Sequence, residues 1–356
     1  MKFPRRAILL NLLLACGSLI FAAAIAETVL RVAPPPSLDK RKILSEVGRM
    51  IPPYLMLPDP EIGWVLAPSF TGMGHGPGWS VTFSTDALGL RDREYDPDDR
   101  AERVVVVGDS YTFGFGVEAE ETFPKVAERD LMKTSLAGLE VVNAGVSGYG
   151  PLEEAAFLKR VAPRFKPRAV VMAFFEGNDV RNAIEYPLRF TMGPEGYLHR
   201  EGWDPFVTPI SYLATYLAMK GRNVMEKLET RHGIELSHSA ILDARSYSES
   251  IGARFLLLLI PDIRSERAAR PWILRIYDRL LGSGGDINAG MESFARSEGV
   301  DVINLSPIFD NAPDAPPLRF KWDGHFTRDG HRIAGEALAN WLVSRMKPYE
   351  IGASSH

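Results

Sequence analysis

Five short, strand-forming runs mark the second part of the chain: Val104-Val105-Val106-Val107, Glu140-Val141-Val142, Ala169-Val170-Val171-Met172-Ala173, Phe255-Leu256-Leu257-Leu258-Leu259 and Val300-Asp301-Val302-Ile303. Runs that are apolar at consecutive positions, instead of alternate ones, belong to strands covered on both faces. The stretches between them have the length and composition of helices, expected at Phe123 to Met132, Leu152 to Val161, Ala240 to Ile251, Ile273 to Leu281, Ala289 to Ser297 and Gly330 to Met346. Strands alternating with helices predict an α/β domain, a three-layer αβα sandwich around a central parallel sheet. About eighty residues separate the third run from the fourth, more than a crossover needs, so residues 183–237 are expected to be an insertion. Its aromatic residues Tyr186, Phe190, Tyr197, Trp203 and Phe206 are expected to form a small core of their own.

The pattern before the first run is different. An uncharged, mostly apolar stretch runs from Ala7 to Ala26 behind Lys2, Arg5 and Arg6. As a helix it would rise roughly 30 Å and match the hydrocarbon core of a bilayer. The preceding basic residues place the N-terminus in the cytoplasm and the rest of the chain outside it. The segment is read as a single-pass inner-membrane anchor with an extracytoplasmic or periplasmic catalytic domain. Ala24-Ile25-Ala26 before Glu27 also has the small-x-small pattern of a signal-peptidase site, so removal is the alternative. Pro34-Pro35-Pro36 and Pro52-Pro53 are linker signals around a possible short helix from Lys40 to Met50. Trp79, Val81 and Phe83 alternate with Ser80, Thr82 and Ser84 as in a half-buried strand, and the charged run from Arg91 to Arg103 reads as a solvated loop. The organisation expected is an anchor or signal at 1–26, a linker and β-rich accessory segment at 27–102, and the α/β domain at 103–350.

Composition narrows the function classes. With 41 basic and 45 acidic side chains the net charge is −4, and no long basic block stands out, so nucleic acid is not an expected partner. The single cysteine, Cys16, lies in the apolar segment, which leaves the exported part without a disulfide.

Candidate chemistry sits at the ends of the strands. Gly108-Asp109-Ser110 follows the four valines, placing Ser110 at the carboxyl edge of a parallel sheet, where open α/β folds bind ligands. A serine hydroxyl is a poor nucleophile without a base and an oxyanion hole. The second run leads into Gly145-Val146-Ser147-Gly148, where the Gly148 N–H can turn toward the site unobstructed by a side chain. The third leads into Gly177-Asn178-Asp179, whose Asn178 amide can donate to the same oxygen. Taken singly, each of these is also what a strand-to-helix turn uses. Together, three consecutive strands end in such groups at one edge. Near the C-terminus, Asp323 stands two residues before His325 in a loop ahead of the last helix, and a carboxylate so placed can orient one imidazole tautomer. His331 reads as solvated at the start of that helix. The remaining histidines lack metal-ligand spacing.

These blocks, in this order, resemble the SGNH hydrolase superfamily, also called GDSL esterases: Ser110 in Gly-Asp-Ser, Gly148, Asn178 in Gly-Asn-Asp, and His325 before Gly330-His331. The anchor and Gly89-Leu90-Arg91-Asp92 resemble membrane-tethered bacterial members. The resemblance implies a flavodoxin-like sandwich, Ser110 as nucleophile, and an oxyanion hole from the Ser110 and Gly148 N–H groups and the Asn178 amide. It implies neither metal nor nucleotide cofactor. The usual acid lies three residues before the histidine, where this chain has Trp322, so Asp323 would serve at the shorter spacing of the polysaccharide acetyltransferase branch. The expected function is a serine-dependent esterase acting on an acyl or carbohydrate ester. The alternatives are an O-acetyltransferase, which would need a multi-pass acyl-donor partner, and a non-catalytic glycan-binding scaffold.

Overall fold

Consecutive valines form a stable strand only where apolar layers cover both faces, and the first run meets that condition. A computed structural model describes residues 5–35, 48–96, 101–201, 211–218, 230–262, 287–312, 316–322 and 324–346. The helix α1 (Arg5–Val32) is followed by two antiparallel pairs, β1 (Met56–Asp59) with β2 (Gly63–Leu66) and β3 (Thr71–Gly76) with β4 (Trp79–Ser84). Then come β5 (Glu102–Gly108), α2 (Ser110–Phe113), α3 (Phe123–Leu131), β6 (Leu139–Gly145), α4 (Pro151–Phe165), β7 (Ala169–Phe175) and α5 (Asp179–Glu185). The small pair β8 (Phe190–Met192) and β9 (Leu198–Arg200) precedes α6 (Thr230–Ser250), β10 (Arg254–Ile260), α7 (Ile287–Ser297), β11 (Asp301–Asn304), α8 (Ser306–Asp310) and α9 (Arg328–Arg345). The helix expected at Ile273 to Leu281 and most of the one expected from Lys40 lie outside the described residues.

Strands β5, β6, β7, β10 and β11 form one five-stranded parallel sheet in the order β11-β10-β7-β5-β6. In sequence rank this is the 2-1-3-4-5 order of flavodoxin-like folds, whose switch point lies between the first and third strands, here β5 and β7. Side chains alternate between two cores. Val105, Val107, Val170, Met172, Leu257 and Leu259 face one, with Phe157, Leu158, Ile241 and Met291 of α4, α6 and α7. Val104, Val106, Val171, Ala173, Leu256 and Leu258 face the other, with Phe123, Ala127, Leu338 and Leu342 of α3 and α9. The architecture is thus the three-layer α/β sandwich expected, with both sheet faces dry.

The segment before β5 is packed into this domain. In β4, Trp79, Val81 and Phe83 are buried and their polar neighbours are not, as the alternation predicts. The reading of Arg91 to Arg103 as a solvated loop is corrected at both ends: Arg91 is 0% exposed and Arg103 3%. Arg91 donates to the carbonyls of Phe113, Gly114, Thr82 and Val117, and its guanidinium lies 4.6 and 4.8 Å from the ring centres of Phe83 and Phe113. Burial lowers its pKa to about 9, which leaves it charged at neutral pH. Asp92 accepts from the Asn143 N–H and pairs with Lys125, itself buried. Gly89 makes the turn before them at φ +78°, and an added Cβ would stand 2.6 Å from the Leu66 carbonyl oxygen. Gly89-Leu90-Arg91-Asp92 is therefore an internal plug. A local window reads its charges as wet because the carbonyls that bind them come from elsewhere in the chain.

In the insertion, Phe190 does not join a separate core. Its ring meets Trp64 of β2 edge to face at 5.1 Å. Trp203 and Phe206 lie outside the described residues. On α1, Leu13–Val32 is long and apolar enough to cross a membrane. At its far end Glu27 accepts hydrogen bonds from the Ser211 hydroxyl (2.9 Å) and from the N–H groups of Tyr212 (3.1 Å) and Leu213 (2.8 Å). It thereby caps a short helix at 212–218.

Candidate active site

The strand β5 ends at Gly108, and the chain turns at once into α2, whose N-cap Asp109 accepts from the Tyr111 N–H at 2.9 Å. This turn leaves Ser110 half-buried at the carboxyl edge, beside the switch point. Its Oγ lies 2.6 Å from Nε2 of His325, a residue 215 positions later. For Nε2 to accept the serine proton the ring must carry its own on Nδ1.

His325 sits in a loop that is tied down on every side. The Phe320 N–H donates to the His325 carbonyl (2.9 Å), and Arg319 pairs with Phe326 across a single bridge. Arg319, which burial lowers in pKa, donates to the Gly324 carbonyl and to the Tyr111 hydroxyl, each at 3.0 Å, and also to the Pro261 carbonyl. The Tyr111 hydroxyl donates to the same Gly324 carbonyl (2.9 Å). Rings of Tyr111 and Phe115 flank the imidazole, each 5.0 Å from its centre. Tyr111 and Arg319 thus hold the His325 loop; neither stands in a block that pattern reading singles out. Trp322, at the position of the usual acid, is 78% exposed, and Asp323 lies outside the described residues.

Gly148 follows β6 in an exposed turn at φ +89°, a left-handed backbone that suits glycine. The accessory segment holds this turn: the Trp64 indole donates to the Ser147 carbonyl (3.1 Å), and the Tyr149 hydroxyl donates back to the Trp64 carbonyl. From α5, the Asn182 amide donates to the Gly148 carbonyl at 3.0 Å. Asn178, half-buried, is the N-cap residue of α5. Burial pushes the Asp109 carboxyl up to about 6, against the Tyr111 N–H, the His325 ring and the Asn178 amide, which favour its ionised form. Ser110, Gly148 and Asn178 accordingly follow three strands at one sheet edge, and His325 meets them there through Ser110.

His331 is not solvated, contrary to the sequence expectation. It is 1% exposed, and its Nδ1 accepts from the Phe123 N–H at 3.1 Å, joining α9 to α3. Burial, followed by Arg91 and His325, lowers its pKa to about 3, so it is a neutral structural acceptor. No described cluster of three or more His, Cys, Asp or Glu residues has metal-binding geometry.

No family model and no curated protein matches the chain. Among solved structures it is similar to a G-D-S-L family lipolytic protein from Desulfitobacterium hafniense, at 17% identity and TM-score 0.41, over 67% of this chain and 98% of that one. A lipase/acylhydrolase from Enterococcus faecalis matches at 17% identity and TM-score 0.40, over 70% and 99%. A psychrotrophic esterase from Pseudoalteromonas, solved with monoethylphosphonate, matches at 12% identity and TM-score 0.39, over 68% and 98%.

Proposed function

We propose that this protein is a serine-dependent ester hydrolase that works through an acyl-enzyme, with Ser110 as nucleophile, His325 as general base and Asp323 as the carboxylate that orients it. The hydrogen bond of 2.6 Å between Ser110 Oγ and His325 Nε2 carries this reading. Two side chains 215 residues apart meet there with the geometry that proton transfer needs. As Oγ attacks the ester carbonyl, Nε2 takes its proton. The Ser110 and Gly148 N–H groups and the Asn178 amide take up the charge that grows on the carbonyl oxygen. Collapse expels the alcohol, which receives the proton back from His325. Water, activated by the same imidazole, then releases the acid and restores Ser110. In the same reading α1 stays in the bilayer and the site faces away from the cytoplasm, in line with the basic residues ahead of the apolar run.

The test uses the detergent-solubilised full chain and a reactive alkyl phosphonate, followed by intact-mass measurement. A single phosphonyl adduct that disappears in Ser110→Ala is expected; an unlabelled, folded wild type would overturn the assignment. Ser110→Ala and His325→Ala should each lower kcat by about 10⁴-fold or more, with the double variant little worse, since such residues act as a unit. Supplying a short-chain acyl ester with and without excess oligosaccharide separates the two reaction types. Release of free acid in water alone is the hydrolase result, and dominance of acylated sugar would put the O-acetyltransferase reading in its place.

A further inference from the structure

The turn that carries Gly148 is gripped by a side chain from the accessory segment. The Tyr149 N–H donates to the Val146 carbonyl at 3.2 Å, which closes a β-turn over residues 146–149. Ser147 keeps an ordinary φ and Gly148 takes +89°, the type II form. A type I turn joins the same ends, but its middle peptide, here the one between Ser147 and Gly148, is rotated by about half a turn. Glycine takes φ of either sign about equally, so Gly148 allows both forms and chooses neither. The middle peptide holds the Ser147 carbonyl and the Gly148 N–H. In a trans peptide these two point in opposite directions, so whatever binds the carbonyl aims the N–H.

Trp64 of β2 binds that carbonyl. Its indole N–H donates to the Ser147 oxygen at 3.1 Å, across 83 positions of sequence. The ring is packed in place: Trp64 is 5% exposed and meets Tyr149 and Phe190 edge to face, each at 5.1 Å between ring centres. The Trp64 carbonyl accepts from the Tyr149 hydroxyl, so strand and turn hold each other in both directions. The peptides on either side have holders of their own. The Val146 N–H donates to the Gly108 carbonyl at 2.9 Å, which ties the start of the turn to the strand end just before Ser110. The Asn182 amide donates to the Gly148 carbonyl at 3.0 Å and to the Tyr149 carbonyl at 3.3 Å. Neither bond fixes the middle peptide, whose carbonyl is the one the indole takes. Turned over into the type I form, that peptide would present a carbonyl oxygen where the N–H stood, an acceptor in place of a donor.

We infer that Trp64 is a positioning residue for the oxyanion hole: its indole holds the Ser147–Gly148 peptide in the orientation that turns the Gly148 N–H away from the accessory segment and toward the ester oxygen. The inference rests on the roles of Ser110 and Gly148 proposed above. The experiment replaces Trp64 in the detergent-solubilised full chain by Phe and, separately, by benzothienylalanine, which keeps the outline of the indole with sulfur in place of its N–H. Phosphonate labelling of Ser110, taken to completion, counts the competent sites, and all rates are referred to that count. In both variants kcat should fall about tenfold with KM within about twofold. The Ki of a short-chain trifluoromethyl ketone, whose serine adduct carries an oxyanion, should rise by the same factor as kcat/KM falls. A role in packing alone acts through the shape of the ring, and would lower turnover in Trp64→Phe but not in the benzothienyl variant. Turnover and ketone affinity within about twofold of wild type in the benzothienyl variant, with Ser110 labelled in full, would overturn the inference and leave the reading of the site standing. A folded wild type that the phosphonate fails to label removes the reading of the site and the inference with it.

Discussion

His325 and His331 stand six positions apart and carry the same ring to opposite ends. The first meets a serine hydroxyl at the sheet edge; the second accepts from a backbone N–H inside the seam between α3 and α9. Because the folded-state pKa of His331 lies below its ordinary 6.5, at about 3, the unfolded chain binds the extra proton between those values. Stability contributed by the neutral ring is therefore present above pH 6.5 and is lost as pH falls toward 3. Each pH unit inside that window is worth about 1.4 kcal/mol. In His331→Gln, which keeps an acceptor, the stability lost between pH 7 and pH 4.5 in urea titrations should be about 2 to 3 kcal/mol smaller than in wild type. An equal loss would mean that His331 titrates freely. The two aspartates nearby divide the same way. Thr327 is the N-cap of α9, accepting from the Gly330 N–H, and Asp329 lies in the first turn, 3.6 Å from Arg332. Asp329→Asn should cost at most about 1 kcal/mol of stability and leave turnover nearly intact. Asp323→Asn should cost about 10⁴-fold in kcat with little change in unfolding, and the reverse pattern would show that the acid is elsewhere.

At the scale of elements, the strands of the sheet and most helices were legible because their burial is written locally: four valines in a row, or an apolar stripe repeating along a helix. The places of Ser110, Gly148 and Asn178 at the carboxyl edge were legible for a related reason, since each comes shortly after such a strand. What was not legible are the groups whose partners are remote. Arg91 looks like part of a charged loop until the carbonyls of Phe113, Gly114 and Val117 close around it, and Trp64 looks like one aromatic in a Gly/Pro-rich stretch until its indole reaches Ser147. Arg91 yields a direct test. Arg91→Met removes the donors to four carbonyls at once, so unfolding by urea should report a loss of about 3 kcal/mol or more. The loop after Ser110 should loosen with it, seen as faster hydrogen exchange at Phe115 and Val117, whereas unchanged exchange there would free the plug of any part in holding the site.

Over the whole molecule, the 2-1-3-4-5 strand order puts Ser110 and Asn178 on either side of the switch point, so their placement is a product of topology and not of any one loop. The chain between α1 and β1, with its prolines, reads as a tether of adjustable reach. Glu27 changes that. It caps the helix at 212–218 from the end of α1, and so links that helix to α1 at a second place, apart from the chain that follows Val32. On the proposed reading of α1 as a helix retained in the bilayer, the domain is mounted instead of moored: its height above the bilayer has a second determinant besides the tether. Lengthening residues 36–47 with a Gly-Ser insert should accordingly leave turnover of a bilayer-embedded ester in proteoliposomes unchanged while Glu27 is intact. The same insert combined with Glu27→Ala should change that turnover without changing turnover of a soluble ester, and a loss from the insert alone would mean that the tether sets the working distance.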